Sequence, residues 1–428
     1  PPSSTVPDNA AIVVIGGGHA AAQLCAALVA AGAGPRTHLV CAEAVLPYQR
    51  PPLSKAFLKN PDDAPQLHRA EAWFAEHGIH LHLGDAATGI DRSAQTVTLA
   101  SGAVLPYGQL VLATGALART LPGLGSDLAN VAVLRHAADA QRLRSALQAA
   151  ASVTVLGGGF IGLEIAATAQ ALGKATQVLE AAPRLLQRAV SPELSAHVLA
   201  SHQAAGIAVT LNARVSDIQR DGDHVSRLSV NGQPQAVDLL VLGVGALPDT
   251  ALAQAAGLAC DDGVLVDAQM RSSDPRVLAI GDCARFSPHA GGLLAGQGHA
   301  GKLRLESVQN ASDQARTAAA TLLGRHEPYN ALPWFWSEQG TMRLQMAGLM
   351  PVAVGADGVA APAGQRHRRP GANDNSFSLL HYVDGRLVCV ESVNAAMDHM
   401  MARKILEAGK HPTPAQACDP ALPLKQWV

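Results

Sequence analysis

The stretch AIVVIGGGHAAAQLCAALVAAGAG, residues 11–34, limits the folds open to this chain more than any other. It opens on a β-branched run, Ile12-Val13-Val14-Ile15, which reads as a fully buried parallel strand. Gly16-Gly17-Gly18 follows at once, and an alanine-rich helical segment runs on to Gly32 and Gly34, residues suited to a helix C-terminus. Gly16, Gly18 and Ala21, with His19 and Ala20 between the last two, fit the G-x-G-x-x-G/A spacing of a dinucleotide-binding turn. The first glycine makes the tight turn, the second lets the backbone approach a pyrophosphate, and the small third residue lets helix and strand pack closely. Phosphates there would meet free N–H groups and the positive end of the helix dipole. A glycine-rich turn in any α/β domain is the plainer alternative.

The pattern occurs twice. Ser152-Val153-Thr154-Val155-Leu156 is a second strand, followed by Gly157-Gly158-Gly159-Phe160-Ile161-Gly162 and a helical segment ending at Gly173. Each copy is later followed by a similar strand and turn, 109–116 with Ala113-Thr114-Gly115, and 238–246 with Gly245. One dinucleotide domain used twice implies two different cofactors.

At 428 residues the chain exceeds one ordinary core, and two or three domains are expected. Hydrophobic content of 48% with 15% charged residues describes a compact enzyme, not a disordered or fibrous chain. A net charge of −2 gives no general pull toward nucleic acid or anionic membrane. Residues 10–34 are apolar enough to mimic a signal or membrane segment, but three glycines, His19 and Gln23 interrupt them and no basic residue precedes them. Cys25, Cys41, Cys260, Cys283, Cys389 and Cys418 form no C-x-x-C or C-x4-C pair, so no zinc ribbon, local redox disulfide or four-cysteine iron–sulfur loop is visible. Buried, reduced thiols in a cytoplasmic protein are the reading.

Residues 1–10 lack any pattern and read as a flexible arm. Thr37-His38-Leu39-Val40-Cys41 should be the second strand of the first sheet, and Glu43 is the candidate at its end to bind adenosine ribose hydroxyls. The three prolines of Pro47-Tyr48-Gln49-Arg50-Pro51-Pro52 stiffen the next loop, and Leu53-Ser54-Lys55 follows. His77, His80 and His82 invite a metal reading, but no carboxylate is evidently placed to join them, and no metal site is assigned.

Residues 46–55, the double fingerprint and the later motifs resemble the NADH-dependent ferredoxin reductases of bacterial oxygenase systems, which share the glutathione-reductase-type fold. The likeness runs from Ile12 to about Asn394. It implies an α/β fold with two Rossmann-like dinucleotide-binding domains, one for FAD and one for NADH, plus a C-terminal α+β domain with an antiparallel sheet. The expected limits are 1–116 and 248–327 for the discontinuous FAD-binding domain, 117–247 for the NAD-binding domain and 328–428 for the last. In the disulfide reductases of this fold a C-x4-C pair occupies the region that here reads PPLSKAFL, so the thiol chemistry is absent.

The resemblance also implies roles. The lysine matching Lys55 lies beside the flavin, the arginine matching Arg50 helps hold FAD in some members, and the glutamate matching Glu164 sits near the nicotinamide and Lys55. The family's ribose-binding acid aligns with Ala42, one position before Glu43, and strand alternation would turn the Glu43 side chain away. Ala113-Thr114-Gly115 places backbone near FAD, and Arg119 matches an arginine that contacts the cofactor. Gly281-Asp282, at the end of an apolar strand, matches the second FAD motif, whose aspartate binds ribityl hydroxyls. The helix beginning at Ser307-Val308 would point its N-terminus at the flavin N1–C2=O edge and stabilise arriving negative charge.

In the second domain Glu180 ends a strand where an acid would accept hydrogen bonds from both adenosine ribose hydroxyls, which favours NADH. Arg184 and Arg188 could bind a 2′-phosphate instead. From Tyr329 short strands with an Asp384-Gly385 hairpin signal read as an antiparallel sheet with a helix near 395–407. There the family's tryptophan matching Trp336 stacks close to the flavin at the ferredoxin-docking face, with a core aromatic as the alternative, which fits Trp334 as well. Residues 364–371, with three arginines in a Gly/Pro-bracketed loop, could steer an acidic ferredoxin or simply form a solvated hairpin tip.

The function so implied is hydride uptake from NADH and single-electron delivery to a [2Fe-2S] ferredoxin, plant-type or Rieske-type, that feeds an oxygenase. Lys55, Glu164 and Trp336 would serve the chemistry, in a monomer or weak homodimer with no nucleic-acid or membrane partner. An NADH oxidase-type flavoprotein is one alternative, although such enzymes usually carry a redox cysteine near the flavin. A non-enzymatic binding protein in the manner of apoptosis-inducing factor is the other.

Overall fold

The computed structural model describes residues 10–125, 127–297, 299, 301–354 and 360–428. The arm expected over residues 1–10 lies, apart from Ala10, outside the described residues.

One compact unit gathers Pro1–Arg50, Pro65–Leu117 and Leu247–Ala331. Its main sheet has five parallel strands in the order Val277–Ala279, Gln109–Leu112, Ile12–Ile15, Thr37–Cys41 and His80–Leu83. The β-branched first strand is central and fully buried, as its unbroken apolar run requires. The helix His19–Ala30 packs against the helix Val308–Leu322. Both inner faces are rich in alanine, Ala20 and Ala21 on one and Ala311, Ala315 and Ala318 on the other, which lets the axes approach closely. A three-stranded meander, Ala87–Asp91, Thr96–Leu99 and Val104–Pro106, branches from this sheet's third connection.

The other unit gathers Pro51–Ala64, Ala118–Ala246 and Leu332–Val428. Its parallel sheet runs Ala208–Thr210, Ala175–Leu179, Ser152–Leu156, Leu239–Leu242 and Val131–Ala132. The second fingerprint strand is again central, with the next strand on one side and the later strand-and-turn on the other. A second meander, Val215–Asp221, His224–Val230 and Gln233–Ala236, occupies the equivalent place in the chain. Five antiparallel strands follow in the order Trp334–Gln339, Met342–Gly348, Arg386–Val393, Phe377–Val383 and Gln365–Pro370. The predicted hairpin is present, with φ of 48° at Asp384 and 74° at Gly385, the two left-handed residues a tight two-residue turn needs. Leu344, Phe377 and Val393 of this sheet share one buried cluster with Val155, Ile165 and Leu194 of the dinucleotide fold.

Two features of this unit escaped the sequence. The segment Pro51–Ala64 belongs to it, held by Arg144, whose Nη1 lies 3.2, 2.9 and 2.9 Å from the carbonyl oxygens of Phe57, Asn60 and Asp63. The same guanidinium sits 4.1 Å over the Phe57 ring. The second is a correction. Residues 365–370, read as a loop, form the edge strand Gln365–Pro370, paired with Phe377–Val383. Its charges are not free: Arg366 and Arg368 both reach Glu193, at 2.9 and 3.2 Å, and buried Arg369 pairs with Asp398 at 3.2 Å. A strand with cations on both faces has no apolar alternation to announce it.

Candidate active site

In the first unit the fingerprint turn fits a pyrophosphate. Gly16 has φ +130°, and a Cβ there would overlap the Ala113 carbonyl oxygen, so only glycine permits the turn. A Cβ at Gly18 would be in contact with Arg50 Nε, 3.8 Å away, so a cation stands beside the turn. No side chain caps the helix His19–Ala30, and its first turn carries no acid, so its leading N–H groups suit an anion. Around this turn stand the other predicted groups. Glu43 lies two residues beyond the second strand, where its carboxylate accepts from Tyr48 Oη at 2.7 Å and pairs with Arg50 at 3.3 Å. Thr114 Oγ1 donates to the Asp249 carbonyl at 2.6 Å, fixing the Ala113–Gly115 turn. Gly281 N–H donates to Gln314 Oε1 at 2.8 Å, which sets the position of Asp282 at the strand end. Ser307 caps the helix Val308–Leu322, accepting from Asn310 N–H at 3.0 Å.

Two residues here were missed. His68 sits edge-on to His19, ring centres 4.5 Å apart, and burial lowers its pKa. Gln314 is fully buried, and no sequence signal distinguishes it from an ordinary helix-face amide.

The second unit repeats the turn. Gly157 has φ +105° and its Cβ would overlap the Gly243 carbonyl oxygen, while a Cβ at Gly162 would overlap that of Gly157, so helix and strand touch backbone to backbone. Gly159 opens the helix Phe160–Ala171 with no side-chain cap. Ile161 is exposed at the mouth, and Phe160 packs against Phe335 at 4.6 Å. Glu180 stands at the end of the second strand, as expected. Its Oε2 accepts from Gly158 N–H at 2.6 Å and its Oε1 from Ala182 N–H at 2.7 Å. Arg184 turns away from any phosphate, donating to the Val190 and Gln187 carbonyls at 2.8 and 2.7 Å. Arg188 and Arg119 have exposed side chains, and Arg119 N–H donates to the Gly245 carbonyl at 3.0 Å.

Lys55 and Glu164 meet in this unit. Lys55 Nζ lies 2.7 Å from Glu164 Oε2, and the glutamate is 4% exposed. Ser54 Oγ reaches the same oxygen at 2.5 Å, and Ser337 Oγ reaches Oε1 at 2.7 Å. Three side-chain donors thus converge on one buried carboxylate, which fixes its orientation. Ser54 and Ser337 carry no motif, which is why the sequence does not mark them. Trp336 stacks on Trp334 at 5.6 Å, and Trp334 in turn lies under Arg403 at 4.2 Å and beside His399.

The thiols are unsuited to redox work. All six cysteines are free, and burial pushes the Cys25 and Cys41 thiols up to about 12. The histidine cluster gains a member the sequence did not suggest, His38, whose Nδ1 is 3.1 Å from His82 Nε2 and whose ring stacks on His80 at 4.4 Å. Among the described residues no group of three or more His, Cys, Asp or Glu is placed to hold a metal ion. No helix among them is long and apolar enough to cross a membrane.

Residues 10–315 match the family described as pyridine nucleotide-disulphide oxidoreductase, and residues 334–428 match the one described as reductase C-terminal. The chain is 40% identical to rhodocoxin reductase of Rhodococcus erythropolis, over 97% of this chain and 93% of that one. The chain belongs to the ferredoxin reductases of that oxidoreductase family. Among solved structures, this ferredoxin reductase is similar to the ferredoxin reductase for the CYP199A2 system from Rhodopseudomonas palustris, with a TM-score of 0.89, 41% identity and coverage of 97% and 99% of the two chains. It also matches the reductase in the covalent putidaredoxin reductase–putidaredoxin complex, with a TM-score of 0.89, 32% identity and 98% of each chain covered.

Proposed function

We propose that this ferredoxin reductase takes hydride from NADH through FAD and passes single electrons to a [2Fe-2S] ferredoxin, plant-type or Rieske-type, that feeds an oxygenase. The observation that carries the reading is the pair of uncapped, glycine-opened helices, each following the central strand of a five-stranded parallel sheet. Two such anion-binding openings in one chain suit two dinucleotides. When bound, FAD supplies the step from two-electron to one-electron transfer.

The first unit's residues hold the flavin nucleotide. The turn at Gly16, Gly18, His19, Ala20 and Ala21 takes the pyrophosphate, with Arg50 beside it. Glu43, held by Tyr48 and Arg50, serves the ribose, and Ala113, Thr114, Gly115, Gly281 and Asp282 line the ribityl side. Ser307 and Val308 set the positive end of their helix where negative charge arrives. In the second unit Gly157, Gly159, Phe160, Ile161, Gly162 and Gly245 form the NADH turn and its cover. Each Glu180 oxygen retains a lone pair for a ribose hydroxyl, and that carboxylate repels a 2′-phosphate. Arg188 and Arg119 remain as exposed cations for phosphate or adenine contacts. Lys55, paired with Glu164, orients the reacting nicotinamide edge, and Trp336 serves the electron exit.

On this reading the limits 1–116 and 248–327, 117–247, and 328–428 describe the FAD, NADH and partner roles, with Pro51–Ala64 attached to the second unit. The oxygenase downstream is a Rieske dioxygenase or demethylase, or a cytochrome P450, and the protein works in the cytoplasm as a monomer or weak homodimer. The test is an anaerobic NADH titration followed by flavin absorbance, with plant-type and Rieske-type ferredoxins then added in turn. Full flavin bleaching by NADH followed by reoxidation by one ferredoxin class is expected. Bleaching with no ferredoxin reoxidising the flavin would refute the partner assignment.

A further inference from the structure

Every hydrogen bond around Glu164 runs toward it, and one of them begins far from the lysine. Beyond Ser337, Gln339 Nε2 donates to Ser337 Oγ at 3.1 Å, and Gln339 Oε1 lies 2.8 Å from His202 Nε2. The donor sense is forced. An ionised carboxylate only accepts, so the Ser337 hydroxyl hydrogen points at Glu164 and its oxygen receives the Gln339 amide N–H. That leaves the Gln339 carbonyl to accept, so His202 carries a proton on Nε2. Burial lowers the His202 pKa, which keeps the ring neutral. Ser337, Gln339 and His202 are 0, 1 and 2% exposed, so water does not compete for any of these bonds.

Lys55 faces Glu164 from the segment 51–64, and His202 ends the chain on the helix Pro192–Ala204. The neighbouring strands Ser152–Leu156 and Ala175–Leu179 carry no titratable side chain, and Glu338 is exposed on the opposite face of its strand. Strand alternation puts Phe335, Ser337 and Gln339 on one face of Trp334–Gln339 and Trp334 and Trp336 on the other.

We propose that Ser337, Gln339 and His202 are positioning residues that hold the Glu164 carboxylate aimed at Lys55. The proposal rests on the reading that the Lys55–Glu164 pair serves hydride transfer. Removing the Ser337 donor leaves a buried carboxylate oxygen unsatisfied, which favours rotation of Glu164 and loosens Lys55.

The test uses FAD-loaded protein and four variants, Ser337→Ala, Ser337→Thr, His202→Leu and His202→Gln. The first readout is independent of turnover: pulsed acetylation of Lys55 by an N-hydroxysuccinimide ester, quantified by peptide mass spectrometry against exposed Lys302 and Lys410. A hydrogen bond to a charged group is worth enough to change the fraction of Lys55 released from its partner, and so open to the reagent, about tenfold. Lys55 acetylation should therefore rise about tenfold in Ser337→Ala and His202→Leu, and return toward wild type in Ser337→Thr and His202→Gln, which keep a donor. The second readout is stopped-flow flavin reduction, which should slow by a similar factor with NADH affinity unchanged. Lys55 labelling within twofold of wild type in both Ser337→Ala and His202→Leu would overturn the proposal, as would equal effects of His202→Leu and His202→Gln. Lys55→Met separates the two readings: unchanged flavin reduction in that variant removes the pair from hydride transfer, while the labelling data still decide whether the chain positions it. If Ser337→Ala does not fold, the two His202 variants decide alone.

Discussion

At Glu180 one side chain does two jobs, pinning the Gly158 and Ala182 N–H groups and presenting negative charge at the strand end. Glu180→Ala should weaken NADH binding by about 10–100-fold, the range for losing a charged hydrogen bond, and shrink the preference for NADH over NADPH. Steady-state kcat/KM for the two coenzymes checks this, and an unchanged ratio would remove Glu180 from coenzyme choice. Arg184 will not rescue NADPH in that variant, because its guanidinium is occupied by two carbonyls of its own loop. The cysteines offer the opposite expectation. Replacing all six by Ser or Ala should cost stability, since four are buried, yet leave flavin reduction by NADH intact. Loss of reduction with FAD still bound would reveal a thiol step.

Among the elements, the edge strand Gln365–Pro370 shows how charge pairing can stand in for apolar alternation. Arg369 donates to the Ala417 and Asp419 carbonyls at 3.0 and 2.7 Å besides pairing with Asp398, and its side chain is 7% exposed. Arg369→Ala strands a partly buried carboxylate and should destabilise the protein by about 3 kcal/mol, measured by urea unfolding. The double variant Arg366→Ala/Arg368→Ala breaks exposed pairs and should cost less than about 1 kcal/mol. Because both arginines already face Glu193, the same double variant should leave the salt dependence of ferredoxin reduction nearly unchanged. A flattened salt slope would return this strand to the docking surface. Arg144 makes the comparable anchor for the segment carrying Lys55.

Taken whole, the molecule carries a set of histidines that folding keeps neutral. Burial and neighbouring His80 and His82 hold His38 at about 4, and burial with Arg403 and Arg343 holds His399 at about 4. Unfolded, both would titrate near 6.5. Between these values the unfolded chain binds more protons, so stability is full above about pH 6.5 and falls as pH drops toward 4. Among the described residues, buried His399 finds no hydrogen-bond partner for either ring nitrogen. His399→Leu should therefore match the wild type near pH 7.5 and lose about 2 kcal/mol less on acidification to pH 4.5. Denaturation curves at the two pH values check the slope, and an acid loss equal to wild type would mean that His399 titrates normally.

Both central strands, their glycine turns and the acid ending the second unit's strand were legible in the sequence, because each depends on a backbone requirement met within a few residues. The unbroken β-branched runs demand burial on both faces, and positive φ at Gly16 and Gly157 admits little but glycine. The Asp384-Gly385 turn is local in the same sense. What only the tertiary structure decided lies between residues far apart in the chain. Glu164 is surrounded by donors 110, 109 and 173 positions away, and Gly281 is oriented by an amide 33 positions later. Serine and glutamine have no local pattern that marks them as partners of a buried carboxylate, so no spacing reveals them. The Gln365–Pro370 strand was hidden for a related reason: its cations are neutralised by Glu193 and Asp398, one distant in sequence and both invisible to a periodicity.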